Sequence, residues 1–562
     1  MRKFILIDHS LKDLGGHYYT YASCVLPAAQ RAGFAVALAV NREFRDFDAL
    51  PKDWTAHAVY RDKSHSHRTL QEQRCTGTLG ALTAWWTQMR KAMRTRERER
   101  IARSFAEDCT TLFECVPLNA GDHVFIATAS ELDLDGLTRF LQAQPRSGAH
   151  YRDVDWHLQF HLGPFNGRDP DYKTQTAARE SMHEVFAEAL ARAPGHRIHL
   201  YCTTEQLTAQ YQSLRAAQFD TLPYPVHPLF REGALSSSTP GPVRIACLGH
   251  TRREKGYRQL PAIVTALWPE YLRAGRAQLV MQTRRRDLQR RLDALFARLG
   301  DRHHDSTVVS YASFPLSLER YAALVRSSGI GLLLYDSARY YARCSGVLLE
   351  MLTAGVPVIV PAGCWLSEQI EEETQSHLDT VAARAQVLHG SCARSATVGE
   401  LDVPANSTSL LVSYRRLAPQ AAGTYVRLHL EQLDTHGHLL DEFASITGPR
   451  APDRKIRTLF NLSGEASRVR LSWHNAWDDA TLHVGDIEFQ FLGGDTWPLG
   501  AVGLSFAEVE HTPRLLLDML QHMEHYRRMA SEFAERLARE HNADQIVAQL
   551  TADRSLKLTV NQ

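Results

Sequence analysis

Three short stretches place glycines, cations and hydroxyls where a strand is expected to give way to a helix: "DLGGHYYTYA" from Asp13, "CLGHTRREKGYRQLP" from Cys247 and "YYARCSGVLLEMLTAG" from Tyr340. In the third, Ser345 suits an N-cap, Gly346 follows it, and Gly355 closes the helix before the next strand. Amides at a helix N-terminus attract an anion, and Arg343 adds a charge beside them. Glu350 lies five residues past the cap, so at about 1.5 Å of rise per residue its carboxylate sits a turn further along the helix. A phosphate at the tip and a hydroxyl-bearing group at Glu350 would be spaced as they are in a nucleotide.

The second stretch packs His250, Arg252, Arg253 and Lys255 between a strand ending at Gly249 and a helix beginning near Gly256. Clustered cations in one turn are chemistry for a diphosphate. In the first stretch, Gly15 and Gly16 let the backbone approach a ligand and present N–H groups at a helix start. The G-x-G-x-x-G fingerprint is missing, which argues against a nicotinamide or flavin enzyme. Each stretch also has a plainer reading: a tight turn, a solvated basic loop, a capped helix with a salt-bridged Glu.

The surrounding elements must bring these loops together. "KFILID", "AVALAV", "HVFIATA", "WHLQFHL" and "RIHLYCTT" are β-rich runs separated by helix-patterned segments, the alternation of a parallel sheet covered by helices. A small, polar, proline-containing stretch, "REGALSSSTPGP", marks a boundary near residue 240. The alternation then restarts with "VRIACLG", "QLVMQT", "STVVSYAS", "IGLLLYD" and "PVIVPAG", a second doubly wound lobe. Two such lobes in series leave a cleft between strand C-terminal ends, where open α/β sheets bind ligands. From about Ser376 to Asp495 the pattern becomes alternating strands with almost no helix, an all-β sandwich, before long amphipathic helices resume. The expected division is therefore 1–240 as an N-terminal Rossmann-like lobe, 241–375 as a second, 376–497 as an inserted β-sandwich, and 498–562 as helices completing the second lobe.

A chain of 562 residues exceeds one hydrophobic core, in keeping with this division. Net charge is +1, so bulk electrostatics give no reason to expect nucleic acid, and an anionic ligand must be met by a local site. The nine cysteines form no C-x-x-C pair, which suggests neither a zinc cluster nor a disulfide framework and places the protein in a reducing cytoplasm. Residues 82–103 combine Trp85, Trp86, Met89 and Met93 with a run of Arg; such a helix is expected either to contact a membrane surface peripherally or to pack as a solvated excursion.

The order and spacing of these parts resemble the retaining glycosyltransferases of the GT-B fold, family 4 in particular: two α/β lobes, the turn Gly249…Lys255-Gly256, and a Glu-bearing helix followed by "AGVPVIV". The likeness covers roughly 1–375 and 498–550 and does not reach the sandwich. It implies a nucleotide-sugar donor, a glycan or lipid-linked glycan acceptor in bacterial surface polysaccharide (lipopolysaccharide-type) synthesis, retention of configuration, and neither a metal nor another cofactor. It implies that Lys255 with a nearby Arg holds the donor diphosphate and that Glu350 binds ribose hydroxyls; His161, at the end of "WHLQFHL", is a candidate for contacting the transferred sugar, or else a satisfied core or rim histidine. Gly15, Gly16, His250, Arg252, Arg253, Tyr341, Arg343, Ser345, Gly346 and Val347 would complete the donor pocket. The first Glu of the family's E-x7-E pair falls on Ala342, and the Arg that commonly follows the first Gly of the turn falls on His250. Two other readings stay open: a non-catalytic glycan- or nucleotide-binding protein, and a nucleotide-sugar isomerase or epimerase of the same fold. Trp473 and Trp477 of the sandwich are candidates for stacking on an acceptor glycan, or for filling its core.

Overall fold

The structure, a computed structural model, describes residues 1–62, 81–144, 146–165, 167–168, 171–232, 241–249, 253–283, 286–299, 308–313, 316–417, 425–449, 454–478 and 480–552, with the side chains of 81–94, 146–149, 171–172, 253 and 287 outside that description. The first lobe is a seven-stranded parallel sheet. Its strands are β1 (Lys3–Asp8), β2 (Ala35–Asn41), β3 (Thr55–Tyr60), β4 (His123–Ala129), β5 (Asp155–Phe160), β6 (Arg197–Cys202) and β7 (Phe219–Thr221), in the order β3-β2-β1-β4-β5-β6-β7. Phe4 to Ile7 are wholly buried, because helices cover both faces of the sheet and a central strand must then be apolar throughout. Those helices are α1 (His17–Arg31), α2 (Ala81–Cys115), α3 (Glu131–Ala143), α4 (Thr176–Ala191) and α5 (Glu205–Gln212).

The basic helix proves to be α2. Its C-terminal half is a core element: Ile101, Phe105, Leu112 and Phe113 are buried, and Gly136 of α3 comes so close that an added Cβ would lie 2.7 Å from the Ala102 carbonyl oxygen. Its arginines face carboxylates, Arg100 with Asp62 at 2.9 Å and Arg103 with Glu99 at 3.3 Å. Trp85, Trp86, Met89 and Met93 fall outside the described side chains. Among the described residues no helix is long and apolar enough to cross a membrane.

The second lobe begins with β8 (Val243–Cys247), β9 (Ala277–Gln282), β10 (Val309–Ala312), β11 (Ile330–Leu332) and β12 (Val358–Pro361), alternating with α6 (Leu260–Leu267), α7 (Arg286–Arg298), α8 (Leu318–Arg326) and α9 (Gly346–Thr353). Helix α10 (Trp365–Arg384) then runs past the expected boundary at 376, since "EEETQSHLDTVAAR" has good helix formers and no breaker. The sandwich therefore starts later, with β13 (Val387–Ala396), β14 (Val398–Asp402), β15 (Ser409–Arg416), β16 (Val426–Leu433), β17 (Leu439–Thr447), β18 (Ile456–Asn461), β19 (Arg468–Asn475) and β20 (Val484–Leu492). They form two antiparallel sheets, β13-β20-β15-β18 and β14-β19-β16-β17. In β19 the two-residue period turns Val469, Leu471 and Trp473 into the core and Arg468 and Arg470 outward.

The chain then returns to the second lobe through β21 (Gly503–Phe506), which pairs with β12. The fold is thus two Rossmann-like lobes with a β-sandwich inserted between α10 and β21. Three helices finish the chain: α11 (Thr512–Gln521), α12 (Met523–Glu540) and α13 (Ala543–Thr551). Not all of them complete the second lobe. Helix α13 packs on α1 of the first, with Arg31 and Asp544 paired at 2.6 Å and Gln549 donating to the Thr221 carbonyl at 2.9 Å.

Near the start of α10, Glu368 accepts hydrogen bonds from Tyr425 of the sandwich and Gln206 of the first lobe. Burial raises its pKa to about 7; the Tyr425 bond works against this, and Glu371 and Glu205 add to it. A carboxyl raised above its ordinary value favours folding below the unfolded pKa, and that contribution is lost as pH rises through 7. Glu368→Gln is therefore expected to shift the variant-minus-wild-type stability upward between about pH 5 and 8, read from urea midpoints. A difference that does not change with pH would place the charge elsewhere.

Candidate active site

The site forms where β8, β11 and α9 end or begin on the cleft. Gly249, just past β8, has φ +86° and its N–H donates to Gln282 Oε1 at 3.0 Å. A Cβ at Gly249 would lie 2.7 Å from Lys255 Nζ and 3.3 Å from Val347 Cγ2, so the ammonium sits against the glycine and close to the first turn of α9. Gly256 has φ +65°, and a Cβ there would lie 1.9 Å from the Leu334 carbonyl oxygen; the turn is pressed onto the segment leaving β11 and requires glycine. Asp336 N–H donates to the Glu254 carbonyl at 2.8 Å and fastens the same two segments.

Lys255 Nζ donates to Tyr335 Oη at 2.9 Å and lies 4.6 Å from that ring's centroid. Tyr340 packs 4.6 Å from Tyr335, and Arg343 stands 5.7 Å from the Tyr340 ring, so two cations bracket two aromatic rings. Ser345 caps α9 as expected, its Oγ accepting from Leu348 N–H at 3.3 Å. Glu350 is only 4% exposed and accepts from Tyr321 Oη at 2.9 Å. Burial raises its pKa to about 7, partly offset by the Tyr321 bond and by Lys255. Lys255, in the turn after β8, thus acts electrostatically on Glu350 of α9.

From the first lobe, Gly16 precedes α1 with φ +88° and ψ −177°, open to space where a side chain would be; Gly15 N–H donates to Asp13 at 2.9 Å. His161, at the end of β5, bonds through Nε2 to the Ala127 carbonyl at 2.7 Å, and burial lowers its pKa to about 4. It is therefore neutral at pH 7, with Nε2 as donor. Its ring lies 6.0 Å from Tyr21 and 6.1 Å from Tyr224. Tyr224 in turn reaches the second lobe: a Cβ on Gly346 would be 3.5 Å from its Cε1. Tyr224, Tyr321 and Tyr335 are site residues that sequence reasoning passed over, although Tyr335 carried one signal, its place just past a strand end.

Not every expected residue converges. Tyr341 is buried with its ring 6.0 Å from Tyr425 of the sandwich. The Ala342 carbonyl accepts from Thr204 Oγ1 at 2.7 Å. His250 and Arg252 lie outside the described residues, and of Arg253 only the backbone is described, opening a short 3-10 turn.

No protein-family model matches the chain, and no curated protein matches it. Solved structures similar to it include sucrose-phosphate synthase from Thermosynechococcus elongatus, 14% identical over 68% of this chain and 90% of that one, TM-score 0.42. Another is trehalose-6-phosphate from E. coli bound with UDP-2-fluoro glucose, 12% identical over 65% of this chain and 86% of that one, TM-score 0.42. A third is a glycosyltransferase involved in avilamycin A biosynthesis, 13% identical over 67% and 83%, TM-score 0.36. At these scores the likenesses carry no argument about function, which rests on the geometry above.

Proposed function

We propose that the protein is a retaining glycosyltransferase that takes a hexosyl or deoxyhexosyl group from a nucleoside-diphosphate sugar to a glycan or lipid-linked glycan of a bacterial surface polysaccharide. The observation that carries this reading is the meeting at Gly249 of Lys255 Nζ and Val347 from the capped start of α9, with buried Glu350 a turn further along. Cleaving a sugar–diphosphate bond builds negative charge on the leaving phosphates. Lys255 and the α9 amides would meet that charge in place, without reorganisation. Glu350 would accept the ribose hydroxyls, exchanging its Tyr321 bond for them. Neutral His161 would face the sugar from the first lobe. With alanine at 342, no carboxylate stands at that position, and the donor phosphate would take the acceptor proton on the same face. Incubation with UDP- and GDP-sugars, followed by detection of slow donor hydrolysis, tests the reading; a protein that binds these nucleotides and never cleaves a donor would support the non-catalytic alternative, which Ala342 favours.

Glu350 gives a separate check. Ribose hydroxyls donate to the carboxylate form, so a group with pKa about 7 must lose its proton on binding. Nucleotide affinity is then expected to rise from about pH 6 to pH 8 more steeply in wild type than in Glu350→Gln, which should bind about tenfold more weakly at the upper end. The variant supplies the reference for the ligand's own phosphate titration. Parallel pH profiles by calorimetry would remove Glu350 from the nucleotide site.

A further inference from the structure

The sandwich turns most of its aromatic side chains inward. Tyr414, Phe460, Trp473, Phe489 and Phe491 are all buried, and the outer face of one sheet carries ion pairs such as Arg468 with Glu400 and Arg470 with Glu431. Trp473, expected as a candidate for stacking on a glycan, is 0% exposed and fills the core. Trp477 is directed at the lobes. It lies on Gly363, where a Cβ would be 2.1 Å from its Cη2, and its ring is 5.3 Å from Tyr425. On this ring rests a residue of the first lobe: the Arg168 guanidinium carbon is 4.4 Å from the ring centroid. Arg168 also donates to Ser337 Oγ of the second lobe, two residues past the Tyr335 that holds Lys255.

Three bodies therefore meet at one guanidinium, and the loop that carries it begins at His161. That loop is held at its start as well, by His161 on the Ala127 carbonyl and by Tyr211 Oη donating to the Leu162 carbonyl at 2.9 Å. A second tie lies beside the first. Tyr425 and Gln206 share Glu368, Tyr341 packs on Tyr425, and Thr204, the cap of α5, holds the Ala342 carbonyl.

We propose that the inserted sandwich is a positioning element for sugar transfer: Trp477, through Arg168, latches the His161 loop of the first lobe to the donor-side segment at Ser337 and so fixes the closed cleft. The proposal rests on the transferase reading. It assigns the sandwich a mechanical role within this chain in place of glycan capture. Trp477 is a positioning residue, since its partner is Arg168 and not a reacting atom; a displacement of about 1 Å in a site of this kind can cost on the order of a hundredfold in rate.

The test uses the full chain. Spin labels on the exposed Cys115 of α2 and Cys392 of β13, in a Cys75→Ser, Cys344→Ser background, report the distance between first lobe and sandwich. Transfer kinetics and UDP or GDP affinity are measured with native cysteines. Trp477→Ala and Arg168→Ala are each expected to broaden the distance distribution and to lower kcat about tenfold or more, with nucleotide Kd within about twofold of wild type. Trp477→Phe, which keeps a ring under the guanidinium, is expected to restore both. An unchanged distribution in both alanine variants, or kcat and Kd lost together without rescue by Phe, would overturn the latch. If wild type binds neither nucleotide and cleaves no donor, the transferase reading fails, while the distances still decide whether Trp477 joins the lobes.

Discussion

Lys255→Ala is expected to lower donor turnover by about 10²- to 10³-fold while shifting the melting temperature by no more than about 4 °C. The ammonium sits against Gly249, which Val347 of α9 also approaches, where phosphate charge would develop. Its removal costs the fold little, because Lys255 lies in a turn on the cleft and Tyr335, the hydroxyl it donates to, keeps its packing against Tyr340. Lys255→Arg should not rescue: the space between Gly249 and Tyr335 is filled by a compact ammonium, and a planar fork has a different shape. Wild-type turnover in the alanine variant would sink the diphosphate assignment.

Gly256→Ala is expected to be the most damaging single methyl in the second lobe. At φ +65° an L residue is strained, and its Cβ would stand 1.9 Å from the Leu334 carbonyl oxygen, so the turn and the segment leaving β11 must separate. A loss of roughly 3 kcal/mol or more is expected, with nucleotide binding lost as well, since the displaced segments carry Lys255 and Tyr335. Gly195→Ala is the control. Its φ is +77° with nothing within 4 Å, so it carries backbone strain alone, about 1 kcal/mol. Equal urea midpoints for the two variants would show that the close approach at Leu334 is not what makes Gly256 necessary.

The two parallel sheets were legible because strands covered on both faces leave continuous apolar runs, as in "KFILID" and "PVIVPAG". The strands that sequence reasoning passed over lack that signature. β3 is half-exposed at the sheet edge, β7 has three residues, and β21 has four and pairs with a strand from which the whole sandwich separates it. The site shows the same division. Gly249, Lys255, Gly256, Ser345 and Glu350 stand in local motifs whose spacing has meaning within one turn or helix. Tyr224, Tyr321 and Tyr335 stand in no motif; they read as core aromatics, and their place comes from elements brought together only by the fold. Tyr341 shows the converse: it sits inside a motif, yet its side chain packs on Tyr425 from the sandwich, which no local pattern could announce.

The crossing of α13 to the first lobe has a mechanical consequence. The polypeptide passes between lobes twice, once after β7 and again after α12, and the two passages are stitched side by side: Val226 N–H donates to the His541 carbonyl at 3.1 Å, and His541 Nδ1 donates to the Tyr224 carbonyl at 2.6 Å. Two neighbouring straps bonded to each other would act as a door hinge, leaving one easy axis of rotation and resisting twist. Tyr224 belongs to both hinge and site, packed against His161 and close to Gly346. Rotation of the lobes about that axis would therefore be felt first at the ring that lies between them.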